Sequence, residues 1–214
     1  LPYYVEELKE YQKIAVENIK INNWIGLLEM ATGTGKTITG LSVSKDYYEK
    51  FERIFLLVLV PYKHLVTQWE KNIVEFGYTN IVKCFDSKEK WLGKLNDTIR
   101  SYNSGIKSIA CVISTYDSAT SSEFLSLTKK IKNHSFLLAD ECHNLGSSKN
   151  QMITRNNFTA RIGLSATPQR WFDDSGTDII KKYFVKTVFE YTLENAIKNG
   201  FLVNYKYFPT IIRL

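Results

Sequence analysis

Short apolar runs, each four to seven residues long and rich in branched or aromatic side chains, recur at residues 24–28, 54–60, 81–85, 108–113, 136–139 and 158–164. Strands buried on both faces have this length and composition, whereas a membrane span needs about 20 residues. Between the runs lie helical patterns. Leu41, Tyr48 and Phe51 form one stripe, and Leu65, Trp69, Ile73 and Phe76 another. Leu8, Tyr11, Ala15 and Ile19 mark a helix before the first run. Alternating strand and helix patterns require right-handed crossovers. The expected class is therefore α/β, a mostly parallel sheet with helices on both faces, in three layers.

Composition narrows the possibilities further. With 4 Trp, 13 Tyr and 12 Phe there is ample surface to bury, which excludes intrinsic disorder. A net charge of +6 weakly favours a polyanionic partner. Cys84, Cys111 and Cys142 form an odd set with no CxxC spacing, which argues against a zinc site or a disulfide framework and fits a reducing compartment. Cys84 and Cys111 are expected to be buried, acting as small apolar residues. The first residues lack the order of a secretory signal, and the absence of an initial Met suggests a processed or excised chain.

The chemistry concentrates after three of the runs. Met30-Ala31-Thr32-Gly33-Thr34-Gly35-Lys36-Thr37 follows a strand and opens a helix, the context a phosphate-binding loop needs. Gly33 and Gly35 let the backbone wrap closely, so successive N–H groups and the helix dipole meet phosphates. Lys36 would reach the β- and γ-phosphates, and the Thr37 hydroxyl would bind Mg²⁺. Position 30 is Met where the strict pattern has Gly, but the inner glycines make the close approach. Leu137-Leu138-Ala139 ends in Asp140-Glu141. One carboxylate there would hold the Mg²⁺ shell, and the other would act as general base toward an attacking water. Ser165 and Thr167 place two hydroxyls just past another strand, where an ordinary proline-closed turn is the alternative.

In order, Gln12, the loop 31–37, Val60-Pro61 with Gln68-Trp69, Ser114-Thr115-Tyr116, Asp140-Glu141-Cys142-His143 and Ser165-Ala166-Thr167-Pro168 resemble motifs Q, I, Ia, Ib, II and III of the superfamily 2 helicases and translocases. The likeness is strongest to the branch of excision-repair DNA helicases and restriction-enzyme motor subunits. The tetrapeptide Asp-Glu-Cys-His departs from both DEAD and DEAH, which turns the reading away from an RNA-specific DEAD-box role. By this resemblance, residues 1–184 are the first of two RecA-like P-loop NTPase domains of an ATP-dependent DNA motor. Residues 185–214, read as a strand at 185–191, a helix at 193–199 and an extended segment at 205–211, would lead toward the second.

The resemblance also implies roles. Gln12 would read the adenine edge, with Lys9 near the ring, and Thr32, Gly33, Thr34, Gly35, Lys36 and Thr37 would bind the nucleotide. Asp140 and Thr37 would hold Mg²⁺, while Glu141 and Lys36 would act on ATP. His143, Ser165 and Thr167 would couple nucleotide state to domain closure. Pro61, Lys63, Thr115 and Tyr116 would contact the nucleic-acid backbone, which positions a strand without reading its sequence. Trp69 and Trp91 are expected in the core. The family's arginine finger belongs to the second motor domain, and its loss costs about 10³–10⁵ in rate in NTPases. Residues 1–214 alone should therefore bind ATP weakly and hydrolyse it poorly. The expected location is cytoplasmic or nucleoid-associated, without membrane or zinc. Rival readings are an RNA-dependent ATPase of the same superfamily, a non-motor regulatory P-loop ATPase, and a DNA-binding scaffold with a decayed site. The last is disfavoured because Lys36, Thr37, Asp140 and Glu141 are all present.

Overall fold

The computed structural model describes residue 2, residues 7–169 and residues 173–203. The extended segment expected at 205–211 lies outside the described residues. Among the described residues, seven strands pair into one sheet: β1 (Ile25–Met30), β2 (Ile54–Val60), β3 (Val82–Cys84), β4 (Ile109–Thr115), β5 (Ser135–Asp140), β6 (Ala160–Ser165) and β7 (Thr187–Tyr191). Their order is β3-β4-β2-β5-β6-β1-β7, and every pairing is parallel. The runs read from sequence each became a strand; 54–60 matches β2 at both ends, and the others shift by one or two residues.

Burial on both faces explains why these strands are continuously apolar. Along β2, Ile54, Leu56, Val58 and Val60 enter one core while Phe55, Leu57 and Leu59 enter the other. The first core is covered by α1 (Glu10–Ile21), α2 (Lys36–Phe51) and α3 (Lys63–Glu75), which contribute Ile19, Leu41, Tyr47, Trp69 and Ile73. The second is covered by α4 (Leu92–Asn103), the short helices α5 (Tyr116–Ala119) and α6 (Ser122–Thr128), and α7 (Asp174–Phe184). Helices on both faces force each connection to return to the same edge, so all the strands run parallel.

The segment after residue 184 does not stand apart. β7 extends the sheet beside β1, with Leu28 opposite Phe189 and Met30 opposite Tyr191. It is followed by α8 (Leu193–Lys198), whose Ala196 is buried in the first core. The Tyr191 ring stacks on Tyr11 of α1 at 4.0 Å and 8°.

All three thiols are buried and free. Burial raises the Cys84 thiol to about 12 and moves Cys111 and Cys142 up as well. Because the thiolate is the reactive form, a thiol-specific disulfide reagent at pH 8 should label essentially none of the three in the folded protein. It should label all three after denaturation, and rapid labelling under native conditions would contradict this packing.

Candidate nucleotide and catalytic site

In a parallel sheet the strands' carboxyl ends share one edge, and ligands bind outside it. Here that edge collects Met30, Val60, Thr115, Asp140 and Ser165. Strand β6 lies between β1 and β5, with Ser165 opposite Glu29 and Leu164 opposite Asp140. The loop after Met30, the Asp140-Glu141 pair and Ser165 are neighbours for that reason, although over 100 residues separate the first two in sequence.

The loop is built as a cradle. Gly33 and Gly35 both adopt φ +83°, which disfavours any other residue. A Cβ on Gly35 would also lie 2.6 Å from Gln12 Nε2. Thr34 is buried, its hydroxyl donating to Ala31 O at 2.6 Å and its carbonyl accepting from the Tyr11 hydroxyl at 2.7 Å. Its polar groups hold the loop together, while Thr32 is exposed. Gln12 is buried; its Nε2 donates to Gly35 O at 3.4 Å and its Oε1 accepts from Lys9 N at 2.9 Å. Helix α1 thereby braces the loop through Tyr11 and Gln12. Beside them, Lys9 Nζ lies 4.3 Å from the centre of the Phe201 ring, and Phe201 meets Tyr11 edge-on.

The charged residues face this cradle. Lys36 Nζ donates to Met30 O at 3.1 Å and lies 3.9 Å from Glu141 Oε1. Glu141 has left-handed backbone, φ 46° and ψ 55°. Its other oxygen is 3.5 Å from His143 Nδ1 and accepts from Ser165 Oγ at 3.5 Å. His143 Nδ1 and Ser165 Oγ are 3.3 Å apart, and the Thr167 amide donates to the same hydroxyl at 3.1 Å. Lys36, Glu141, His143, Ser165 and Thr167 thus form one linked set. Asn144, absent from the sequence reading, donates to Glu141 O at 2.8 Å and lies 3.4 Å from His143 Nε2. Nothing in its type or spacing singled it out.

Asp140 is held on every side. Trp69 Nε1 donates to Oδ2 at 2.8 Å, Glu141 N donates to Oδ1 at 3.1 Å, and the Tyr116 hydroxyl donates to its carbonyl at 2.8 Å. Burial pushes the Asp140 carboxyl above its usual range, and the Trp69 donor opposes that rise. Asp140 and Thr37, a carboxylate and a hydroxyl, are the all-oxygen donors a hard divalent cation prefers, so the residues present fit Mg²⁺.

The strand-end loops differ from expectation in one respect. Lys63 is exposed and pairs with Asp86, and Pro61 is half-buried beside it. Thr115 and Tyr116, however, are buried. The Thr115 hydroxyl caps α5 by accepting from Ser118 N, and the Tyr116 hydroxyl points inward to Asp140. Their side chains serve the interior because an aromatic ring at the end of β4 gains more from the second core than from water. These two side chains are therefore turned away from solvent, which leaves the backbone of this loop as the part that can meet a phosphate.

A parallel sheet of this order, carrying a glycine-braced loop, Lys36 and the Asp140-Glu141 pair on its carboxyl edge, defines a RecA-like P-loop NTPase domain of superfamily 2 type. Residues 6–170 match the family described as type III restriction enzyme, res subunit, and the chain belongs to that family. It is 28% identical over 188 residues to the type I restriction enzyme EcoAI endonuclease subunit of Escherichia coli, covering 84% of this chain and 21% of that one. It is 30% identical over 171 residues to the DNA 3'-5' translocase XPB2 of Sulfurisphaera tokodaii, covering 77% of this chain and 31% of the relative. The chain thus spans about a fifth to a third of the curated relatives it matches. The fold recurs in the type ISP restriction-modification enzyme LlaBIII bound to DNA, with TM-score 0.73 and 21% identity over 95% of this chain and 16% of that one. It recurs also in the Sulfolobus solfataricus SWI2/SNF2 ATPase core in complex with dsDNA, with TM-score 0.61 and 19% identity over 86% and 37% of the two chains.

Proposed function

We propose that this chain is the ATP-binding half of a DNA-stimulated motor, a helicase or translocase, whose hydrolysis site is completed by a second RecA-like domain. The observation that carries this reading is the convergence of Lys36, Asp140, Glu141, His143 and Ser165 on one sheet edge beside the glycine loop. Lys36 would bind the β- and γ-phosphates, Gln12 would meet the adenine from the brace it forms with Gly35, and Thr37 with Asp140 would hold Mg²⁺. When bound, Mg²⁺ supplies charge neutralisation at the transferring phosphoryl group. Glu141, its orientation set by Ser165, His143 and Asn144, would accept the proton of the attacking water. The same contacts give His143, Ser165 and Thr167 a route from hydrolysis to domain movement. On the polymer side, Pro61, Lys63 and the backbone at Thr115 and Tyr116 are the candidate contacts to phosphates. The curated relatives named as a DNA translocase and a restriction subunit support DNA over RNA.

The deciding experiment is ATP hydrolysis by the intact protein with duplex DNA, single-stranded DNA, RNA or no polymer. Stimulation by DNA is expected. Stimulation by RNA alone would move the protein to the RNA branch, and indifference to every polymer would favour a regulatory ATPase.

A further inference from the structure

Trp69 lies seven residues into α3, in a helix stripe that by pattern belongs to the core, and its ring is indeed buried. Burial of the ring does not account for its one polar atom. The indole N–H ends on Asp140 Oδ2 at 2.8 Å, although 71 residues separate the two. A buried N–H requires some acceptor, but a backbone carbonyl would serve; this one meets the carboxylate that faces the nucleotide loop. The same helix opens at Lys63, exposed on the loop that follows β2. One rigid element of 13 residues therefore has a surface-facing cation at its start and a hydrogen bond to the catalytic edge two turns later. From the neighbouring loop after β4, the Tyr116 hydroxyl reaches the Asp140 carbonyl at 2.8 Å. The helices that follow β2 and β4 thus each send a buried aromatic donor to a single residue.

We propose that Trp69 is a positioning residue for the metal-holding carboxylate, and that through it a shift of α3 on contact with nucleic acid resets Mg²⁺ affinity. The Trp69 donor occupies one Asp140 oxygen and the Glu141 amide the other, so the plane of the carboxylate is fixed from two directions. A small tilt of α3 lengthens the first bond and releases that plane. Tyr116 restrains the Asp140 backbone meanwhile, so the motion is confined to the side chain. This inference rests on the reading of the chain as a nucleic-acid-stimulated motor.

The test uses the intact protein and a fluorescent ADP analogue, whose binding tightens as Mg²⁺ is added; the readout is the Mg²⁺ concentration for half-maximal tightening, with and without a short DNA duplex. Outer partners of metal ligands typically contribute about 10- to 100-fold to metal affinity. Trp69→Phe, which removes the donor but keeps a ring, should raise the half-point by about that factor. If that variant fails to fold, benzothienylalanine at position 69 keeps the bicyclic shape and puts sulfur in place of the N–H. In the wild type, DNA should move the half-point about fivefold or more, and both substitutions should abolish the movement. Unchanged Mg²⁺ affinity in the variants, or a DNA effect that persists in them, would overturn the proposal. DNA that binds by anisotropy without moving the wild-type half-point would overturn it while leaving the motor reading intact. Failure to bind DNA at all would remove the motor reading and this inference together.

Discussion

Glu141→Gln in the intact protein should lower DNA-stimulated ATP turnover by about 10²- to 10⁴-fold, the range a positioned general base contributes. Nucleotide affinity should hold or improve. The substitution is nearly isosteric, and the Gln carbonyl can still accept from Ser165 Oγ, which sits 3.5 Å away. The local backbone, already in the left-handed region at φ 46°, faces no new demand. What is lost is the negative charge 3.9 Å from Lys36 Nζ. Relieved of that partner, Lys36 becomes more available to phosphate, which is why binding should not suffer. Single-turnover hydrolysis and equilibrium binding of a fluorescent nucleotide separate the two effects. Turnover within threefold of wild type would remove Glu141 from the role of base.

Most of this architecture was legible because its signals are local. Residues 54–60 are apolar without interruption, and only a strand covered on both faces requires that. The glycine spacing in the loop is equally local, since φ +83° at Gly33 and Gly35 is a backbone demand that few other residues meet. Partnerships made across the sheet were less visible. The resemblance places Thr115 and Tyr116 among nucleic-acid contacts, and sequence carries no sign that both side chains turn inward at the start of α5. Asn144 is one polar residue in a turn, and its role follows from the short 3₁₀ segment Cys142–Gly146 that turns it back onto Glu141. Trp69 was read as core, which its ring is, but pattern analysis weighs whole side chains and cannot see where one N–H points. The strand at 187–191 was recognised as a strand, yet its place beside β1 depends on Met30 and Tyr191 sharing a row. Pairing partners far apart in sequence leave no periodic trace.

Lys36→Ala should weaken binding of Mg²⁺–ATP by roughly 30- to 5,000-fold, which corresponds to the loss of about 2–5 kcal/mol typical of truncating one partner of a desolvated charge pair. Lys36 suits that range because its side chain is only 10% exposed. Without the ammonium, Glu141 faces incoming phosphates uncompensated, and its repulsion adds to the lost attraction. Asp140 has its carboxyl raised by burial, with Lys36 among the groups that lower it. Removing Lys36 raises it further, while Trp69 and the Glu141 amide still donate to the Asp140 carboxylate and favour its charged form. A protonated Asp140 would hold Mg²⁺ less well, so the loss should be no smaller at mildly acidic pH than at pH 8. Folding should change little, since the lysine makes one hydrogen bond, to Met30 O, and its carboxylate partner Glu141 lies 3.9 Å away. Isothermal titration at the two pH values, with a thermal melt of the free protein, checks each part. Wild-type affinity in Lys36→Ala would mean that the glycine loop does not hold phosphate, and the assignment of this edge as a nucleotide site would fall with it.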